Sequence, residues 1–178
     1  LRRFLDDVEQ AFADLRLNAE QPLHLAAQYG HRPAVEFLVK QGADTAAKCA
    51  HKQTPLHLAA QGNYSDVVDL LVQCDADKEA VDASGQTALH YAALAGHHSV
   101  AQVLVVNDAM LDLGDNEGNT PLHLAVLGQR AHIVKLLLDH GALTYLANNT
   151  GDTPFELASG LPEEILMVLM EFALAPDH

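Results

Sequence analysis

The sequence is poor in positive charge and in cysteine. Its 178 residues include 10 Lys or Arg against 24 Asp or Glu, which gives a formal net charge of −14. Phosphate groups and anionic membranes attract a surplus of cations, so this balance argues against nucleic acids and membrane surfaces as partners. The two cysteines, Cys49 and Cys74, are too few for a disulfide framework. They favour a reducing, intracellular location, cytoplasmic or nuclear.

Tryptophan is missing, and long apolar runs are missing too. The longest wholly apolar stretch covers residues 165–170, far short of the ~20 residues that cross a bilayer. Acidic residues interrupt the N-terminal segment, so it does not have the pattern of a signal peptide. The hydrophobic content of 49% is nevertheless typical of a chain that folds around a core.

An internal repeat runs through the chain. The strings QPLHLAA, TPLHLAA, TALHYAA, TPLHLAV and TPFELAS begin at residues 21, 54, 87, 120 and 153, so successive starts are 33 residues apart. A fixed period of this size indicates stacked units that share one continuous core. Each unit has a turn, Thr or Gln at the N-cap, a short Leu- and Ala-rich helix, a break, and a second helix with paired apolar residues. The core is predicted to include Leu56, Leu70, Leu122 and Leu136.

These strings, with their period and positions, resemble the ankyrin repeat over residues 18 to about 172. The resemblance implies an all-α solenoid of helix-turn-helix units joined by short β-turns. It also implies a module that binds other proteins and has no catalytic activity and no cofactor of its own. The predicted organisation is an N-terminal helix over residues 1–17, either a degenerate repeat or a cap, an array of five repeats over residues 18–174, and a tail over residues 175–178. Four departures affect single positions: Ala19, Lys52 and Gln129 replace glycines, and Glu156 replaces the motif histidine.

The motif places one histidine at the same helical position of four repeats, namely His24, His57, His90 and His123. Stacked helices lie ~8–10 Å apart, whereas two ligands of one zinc ion bring their nitrogens within ~4 Å of each other. A ladder of this kind is badly placed to share a metal, and the resemblance implies that the rings bond to backbone near the turns. No nucleophile–base spacing, phosphate loop or zinc motif is present, so no catalytic or metal site is predicted.

The resemblance implies that a partner contacts the turn tips and the exposed side of the first helices. At these places the residues differ from repeat to repeat while the framework stays the same. The predicted contact residues are Tyr29, His51, Gln61, Tyr64, Ser84, Leu94, His97, Asn116, Glu117, Leu127 and Arg130. Tyr29, Tyr64, Leu94 and Leu127 are the candidate anchors, because aromatic and large apolar groups supply most interface energy. The alternative for each is an ordinary surface residue.

Residues 79–129 contain no Lys or Arg. Glu79 and Asp112 occupy equivalent positions one repeat apart, and with Glu117 they form a predicted acidic edge. One interpretation is that Asp82 and Asp115 form the turns and the other acids are only solvated. The other is that the acidic edge attracts a Lys/Arg-rich peptide or domain. Both interpretations leave the oligomeric state open.

The last helix is apolar nearly all round. Counted in steps of 33, Ile165 and Val168 fall at positions that are polar in three earlier repeats, and Phe172 follows them. The helix is either a long cap that tucks Phe172 under repeat four or a contact surface for another domain or chain.

The function predicted from the sequence is a non-enzymatic protein–protein interaction module that is part of a larger polypeptide. One alternative is a regulatory adaptor, such as a ubiquitin-ligase substrate receptor or a protein resembling the NF-κB inhibitors. The other is the ankyrin region of an enzyme or channel whose activity lies elsewhere.

Overall fold

The structure, a computed structural model, describes residues 21–174 and the side chains of residues 21–172. The helix predicted for residues 1–17 and the tail predicted for residues 175–178 lie outside the described residues. Within the described range the chain forms ten helices and no strand. None of these helices is long and apolar enough to cross a membrane.

The helices come in pairs, one pair to each repeat. They are α1 (Pro22–Gln28) and α2 (Arg32–Lys40), α3 (Pro55–Gln61) and α4 (Ser65–Gln73), α5 (Ala88–Ala95) and α6 (His98–Val106), α7 (Pro121–Leu127) and α8 (Ala131–Asp139), and α9 (Pro154–Ala158) and α10 (Glu163–Leu174). First helices pack on first helices, and second helices pack on second helices. The predicted all-α array of helix-turn-helix units is confirmed.

One continuous core runs between the two helix layers. The four leucines predicted to lie in it, Leu56, Leu70, Leu122 and Leu136, are at most 8% exposed. Alanines at the centre of the first helices are fully buried, and their small side chains let neighbouring repeats approach closely. Cys49 is buried, Cys74 is half-buried, and both are free thiols.

The turns keep their geometry where glycine is replaced. Lys52 adopts a left-handed conformation (φ 59°) at the position equivalent to Gly85 and Gly118. Gln129 does the same (φ 56°) at the position equivalent to Gly96. A side chain in this conformation costs roughly 1–2 kcal/mol. The turn hydrogen bonds are nevertheless formed, from the N–H of Lys52 to the carbonyl of Cys49 (2.8 Å) and from the N–H of Gln129 to the carbonyl of Val126 (2.9 Å). The departures at Lys52 and Gln129 therefore leave the fold unchanged, and Ala19 lies outside the described residues.

The last helix is shifted by one residue relative to the repeat period. Helix α8 begins at Ala131, so a strict period would start α10 at residue 164, but α10 begins at Glu163. Burial follows the shifted register: Ile165 is 2% exposed, as expected for a residue equivalent to Ile133 and not to His132. The prediction that Ile165 and Val168 take polar positions of the repeat is therefore wrong, because one residue is missing between α9 and α10.

Helix α10 consequently has the burial pattern of a cap. Ile165 and Leu169 are buried, and Val168 and Phe172 are half-buried against the core. The ammonium group of Lys135 lies 5.4 Å from the centre of the Phe172 ring, in a cation–π arrangement. This arrangement favours the first of the two alternatives, in which Phe172 packs under repeat four.

Candidate functional site

The turn tips of repeats three, four and five are each built around one acidic or amide side chain, Asp82, Asp115 or Asn148. In repeat three, Oδ1 of Asp82 accepts hydrogen bonds from the backbone N–H groups of Ser84 (2.8 Å) and Gln86 (3.0 Å). Asp115 repeats this arrangement in repeat four. The interpretation of Asp82 and Asp115 as turn formers is confirmed, and the tips are held in shape by their own side chains.

Backbone hydrogen bonds join each tip to the next. The N–H of Asn116 donates to the carbonyl of Ser84 at 3.0 Å, and the N–H of Asn149 donates to the carbonyl of Glu117 at 2.9 Å. The amide side chains of Asn116 and Asn149 add a second bond to the preceding tip. The tips therefore form a continuous edge whose shape is set before any partner arrives.

The motif histidines hold neighbouring repeats together beneath the tips. In repeat three, Nδ1 of His90 accepts the backbone N–H of Thr87 (3.1 Å), and Nε2 donates to the carbonyl of Asn119 in repeat four (3.0 Å). Because Nδ1 accepts, the proton is on Nε2 and the ring is neutral. Burial lowers the pKa of His90 below its usual value. His57 and His123 have the same contacts, and burial lowers their pKa values too.

Repeat five uses a carboxylate in place of this ring. Oε2 of Glu156 accepts both the backbone N–H of Thr153 (2.7 Å) and the Thr153 hydroxyl (2.8 Å). These hydrogen bonds lower the pKa of Glu156. A carboxylate carries no N–H, so this cap needs no carbonyl from a following repeat. Among the described residues, no three His, Cys, Asp or Glu side chains lie close enough to hold a metal ion.

A tyrosine fills the space between repeats two and three. The Tyr91 hydroxyl donates to Oδ2 of Asp82 at 2.7 Å and accepts from Nε2 of Gln53 at 2.9 Å. Burial and the Asp82 carboxylate raise the pKa of Tyr91 to about 12. In repeat four the equivalent residue is Leu124, which is shorter and has no hydroxyl group. Gln86 of repeat three therefore contacts Asp115 of repeat four with no hydroxyl group between them, and its Nε2 lies 3.3 Å from Oδ2.

A groove of about 520 Å³ lies between repeats three and four, next to Leu124, Gln86 and Asp115. Its apolar floor comes from α5 and α7, and its polar wall comes from the two tips. The floor residues are Leu94, Leu124 and Leu127, and the wall residues are Ala83, Ser84, Gln86, Asp115, Asn116, Glu117 and Asn119. We refer to this feature as the repeat 3–4 groove. Leu94 and Leu127 are 43% and 45% exposed, so a partner side chain has apolar surface to cover.

The repeat 3–4 groove brings together five of the residues predicted to contact a partner. They are Ser84, Leu94, Asn116, Glu117 and Leu127. Sequence reasoning missed Leu124, because it belongs to the repeated string and was assigned to the framework. One difference in the sequence could have identified Leu124: repeat four has leucine at the motif position where repeat three has Tyr91.

Three other predicted contact residues lie on the seams between repeats. The Tyr64 ring lies against Gly30 and Gly62, where an added Cβ would come within 2.3 Å of the ring. Nε2 of His97 donates to the carbonyl of Gln61, and Nε of Arg130 donates to the carbonyl of Leu94, both at 3.2 Å. Each of these side chains therefore has a partner in the preceding repeat.

The remaining predicted contact residues lie away from the repeat 3–4 groove, on repeats one and two. Tyr29 is 62% exposed, and its ring centre is 6.4 Å from that of His31. His51 and Gln61 are also exposed, and their backbone carbonyls accept bonds from repeat three. As partner contacts, these residues stay predictions.

The residues of the predicted acidic edge lie in two different environments. Oε1 of Glu79 accepts the backbone N–H of Met110, and Oδ1 of Asp112 accepts the backbone N–H of Leu143, both at 2.9 Å. Each bond crosses to the next repeat, so both carboxylates link repeats; burial raises the pKa of Glu79. Glu117, in contrast, is exposed in the wall of the repeat 3–4 groove.

Comparison with known families agrees with the geometry. The family model for ankyrin repeats (3 copies) matches the chain in four overlapping stretches, residues 2–82, 23–113, 74–149 and 107–173. A comparison with curated proteins gave no match.

Proposed function

Because the chain belongs to the ankyrin-repeat family, whose repeats are generally protein–protein interaction modules, we propose that it binds a partner protein in the repeat 3–4 groove. The module itself carries out no chemical reaction in this proposal. The tips of repeats three and four contact the partner backbone and polar groups, and the leucine floor contacts an apolar side chain.

The exposure of Leu94 and Leu127 in a concave site is the observation that carries the proposal. Both leucines leave nearly half of their surface in water, although Leu124 between them is only 5% exposed. Covering apolar surface contributes roughly 25 cal/mol per Å². Apolar patches bordered by polar groups are typical of protein interaction sites.

The rigidity of the tips supports the same proposal. A partner that binds mobile loops has to order them, which costs roughly 0.5–1.5 kcal/mol for each side chain held in place. The tip of repeat four is already held by Asp115 within the turn and by hydrogen bonds from Asn116 to the preceding tip. Little ordering free energy is therefore lost when a partner binds there.

The proposal is tested by affinity capture with the chain of 178 residues, followed by mass spectrometry. The variant Leu94→Ser/Leu127→Ser removes the exposed floor and is expected to lose partners that the parent captures. Val106→Ser is the matched control, because Val106 is 57% exposed on α6, outside the groove. The proposal fails if the groove variant and the control capture the same proteins in the same amounts.

A further inference from the structure

The charge of the repeat 3–4 groove identifies the kind of partner segment that fits it. Resting on the function proposed above, we propose that the occupant is a segment of a partner protein with Lys or Arg residues beside one large apolar side chain. The apolar side chain lies on the leucine floor, and the cationic groups lie against the wall formed by Asp115 and Glu117.

Within residues 21–172, the ion pairs of the structure join Lys40 to Glu36 and Lys135 to Asp139, and neither involves a carboxylate of the groove. Asp115 and Glu117 are the charged residues of its lining, and residues 79–129 contain no Lys or Arg at all. The nearest following cation, Arg130, is directed to the seam, where its Nε donates to the carbonyl of Leu94. The negative potential of the wall is therefore not neutralised from within this part of the chain.

The groove geometry strengthens this potential. Asp115 is held in place by two backbone N–H groups on Oδ1 and by Gln86 near Oδ2, so its charge has a fixed position. The leucine floor beside it is apolar and excludes water from one side. Clefts that combine charge of one sign with apolar walls focus the field and raise the local concentration of the opposite charge.

The floor requires an apolar group as well. A purely cationic segment would satisfy Asp115 and Glu117 but would cover Leu94 and Leu127 only with the narrow methylene stems of Lys and Arg, which bury less apolar surface than one large apolar side chain. An acidic segment, or the phosphates of a nucleic acid, would face repulsion from the wall and from a chain of net charge −14. A basic segment with one large apolar side chain satisfies the wall and the floor together.

Three fluorescent peptides of equal length test this proposal by fluorescence anisotropy. The first has Phe flanked by alternating Arg and Lys, the second replaces Phe with Ser, and the third replaces each Arg and Lys with Glu. The first peptide is expected to bind the chain at least tenfold more tightly than the others at low salt. Its affinity is expected to fall as salt rises, because the Debye length shrinks from ~10 Å at 0.1 M to ~3 Å at 1 M.

A pair of charge reversals separates the groove from the overall charge of the chain. Glu117→Lys is expected to weaken binding of the first peptide about tenfold at low salt, and Glu117→Gln is expected to weaken it less. Glu171→Lys is the matched control, since Glu171 is exposed on α10 and its replacement changes the net charge equally. Circular dichroism spectra and melting curves identify any variant that has lost its fold.

The outcomes separate this proposal from the function on which it rests. Equal binding of the Glu peptide, or equal weakening by Glu171→Lys and Glu117→Lys, would overturn the basic occupant. If none of the peptides binds but Leu94→Ser/Leu127→Ser still loses captured partners, the occupant is wrong and the groove is still the binding site. If that double variant changes neither peptide binding nor capture, both proposals are wrong.

Discussion

Replacement of His90 by Ala is expected to lower the free energy of unfolding by about 1.5–4.5 kcal/mol. The ring is fully buried and bonds to two backbone groups, the N–H of Thr87 (3.1 Å) and the carbonyl of Asn119 (3.0 Å). Thr87 and Asn119 are themselves at most 4% exposed, so water does not replace the ring. The Thr87 N–H is left without a partner, which costs roughly 1–3 kcal/mol. The Asn119 carbonyl keeps the bond from the Asp115 N–H at 2.9 Å, so losing the ring there costs roughly 0.5–1.5 kcal/mol, and the two losses together give the expected range.

Urea denaturation followed by circular dichroism measures this loss, with tyrosine fluorescence as the second probe. Coincident transitions from the two probes show that unfolding is cooperative enough for the comparison. His140→Ala is the control, because His140 is exposed and its Nδ1 contacts only the carbonyl of Leu136 within its own helix end. It is expected to cost less than about 1 kcal/mol. An equally small loss for His90→Ala would refute the role assigned to the histidine ladder.

Four further predictions concern stability. Burial lowers the pKa values of His57, His90 and His123, so the folded chain binds fewer protons than the unfolded chain. The stability that depends on these neutral rings is complete above the usual histidine pKa of ~6.5 and is lost as pH falls through the lowered values. The urea midpoint should therefore be lower at pH 5 than at pH 7, and an unchanged midpoint would contradict this expectation. Leu122→Ala, at a fully buried position, should cost about 2–5 kcal/mol, and an unchanged melting temperature would contradict the repeat assignment. Asp112→Ala should cost about 1 kcal/mol by removing the acceptor of the Leu143 N–H, and Asp112→Asn, which keeps an acceptor, should restore most of the loss in calorimetry. Gln129→Gly should raise the free energy of unfolding by about 0.5–1 kcal/mol by relieving the left-handed conformation, and a decrease in the urea midpoint would show that this conformation is not strained.

The repeated string was enough to predict the fold, because a period of 33 residues places equivalent residues in equivalent environments. The same reasoning failed at α10, where one residue is missing between the helices of repeat five. The loss is invisible in the string TPFELAS, since that string lies before the missing residue. Only the start of α10 at Glu163 and the burial of Ile165 reveal the shift.

The candidate site was predicted in part. Variation between repeats identified Leu94 and Leu127, because a framework residue does not vary in this way. It also selected His97 and Arg130, whose variable side chains bond to the preceding repeat. Contacts between repeats join residues about 30 positions apart, and a pattern within one repeat does not contain them. The link from Glu79 to the Met110 N–H was missed for the same reason.

Methyl-selective NMR of the leucine side chains, recorded while a captured partner is titrated, shows directly whether the partner binds in the repeat 3–4 groove. We expect the largest shift changes at Leu94, Leu124 and Leu127, which form the floor of this groove. The buried Leu71, in repeat two, should change little and serves as the internal reference. If the methyl shifts of the groove leucines stay unchanged and those of leucines on α10 change instead, the partner does not bind in the groove.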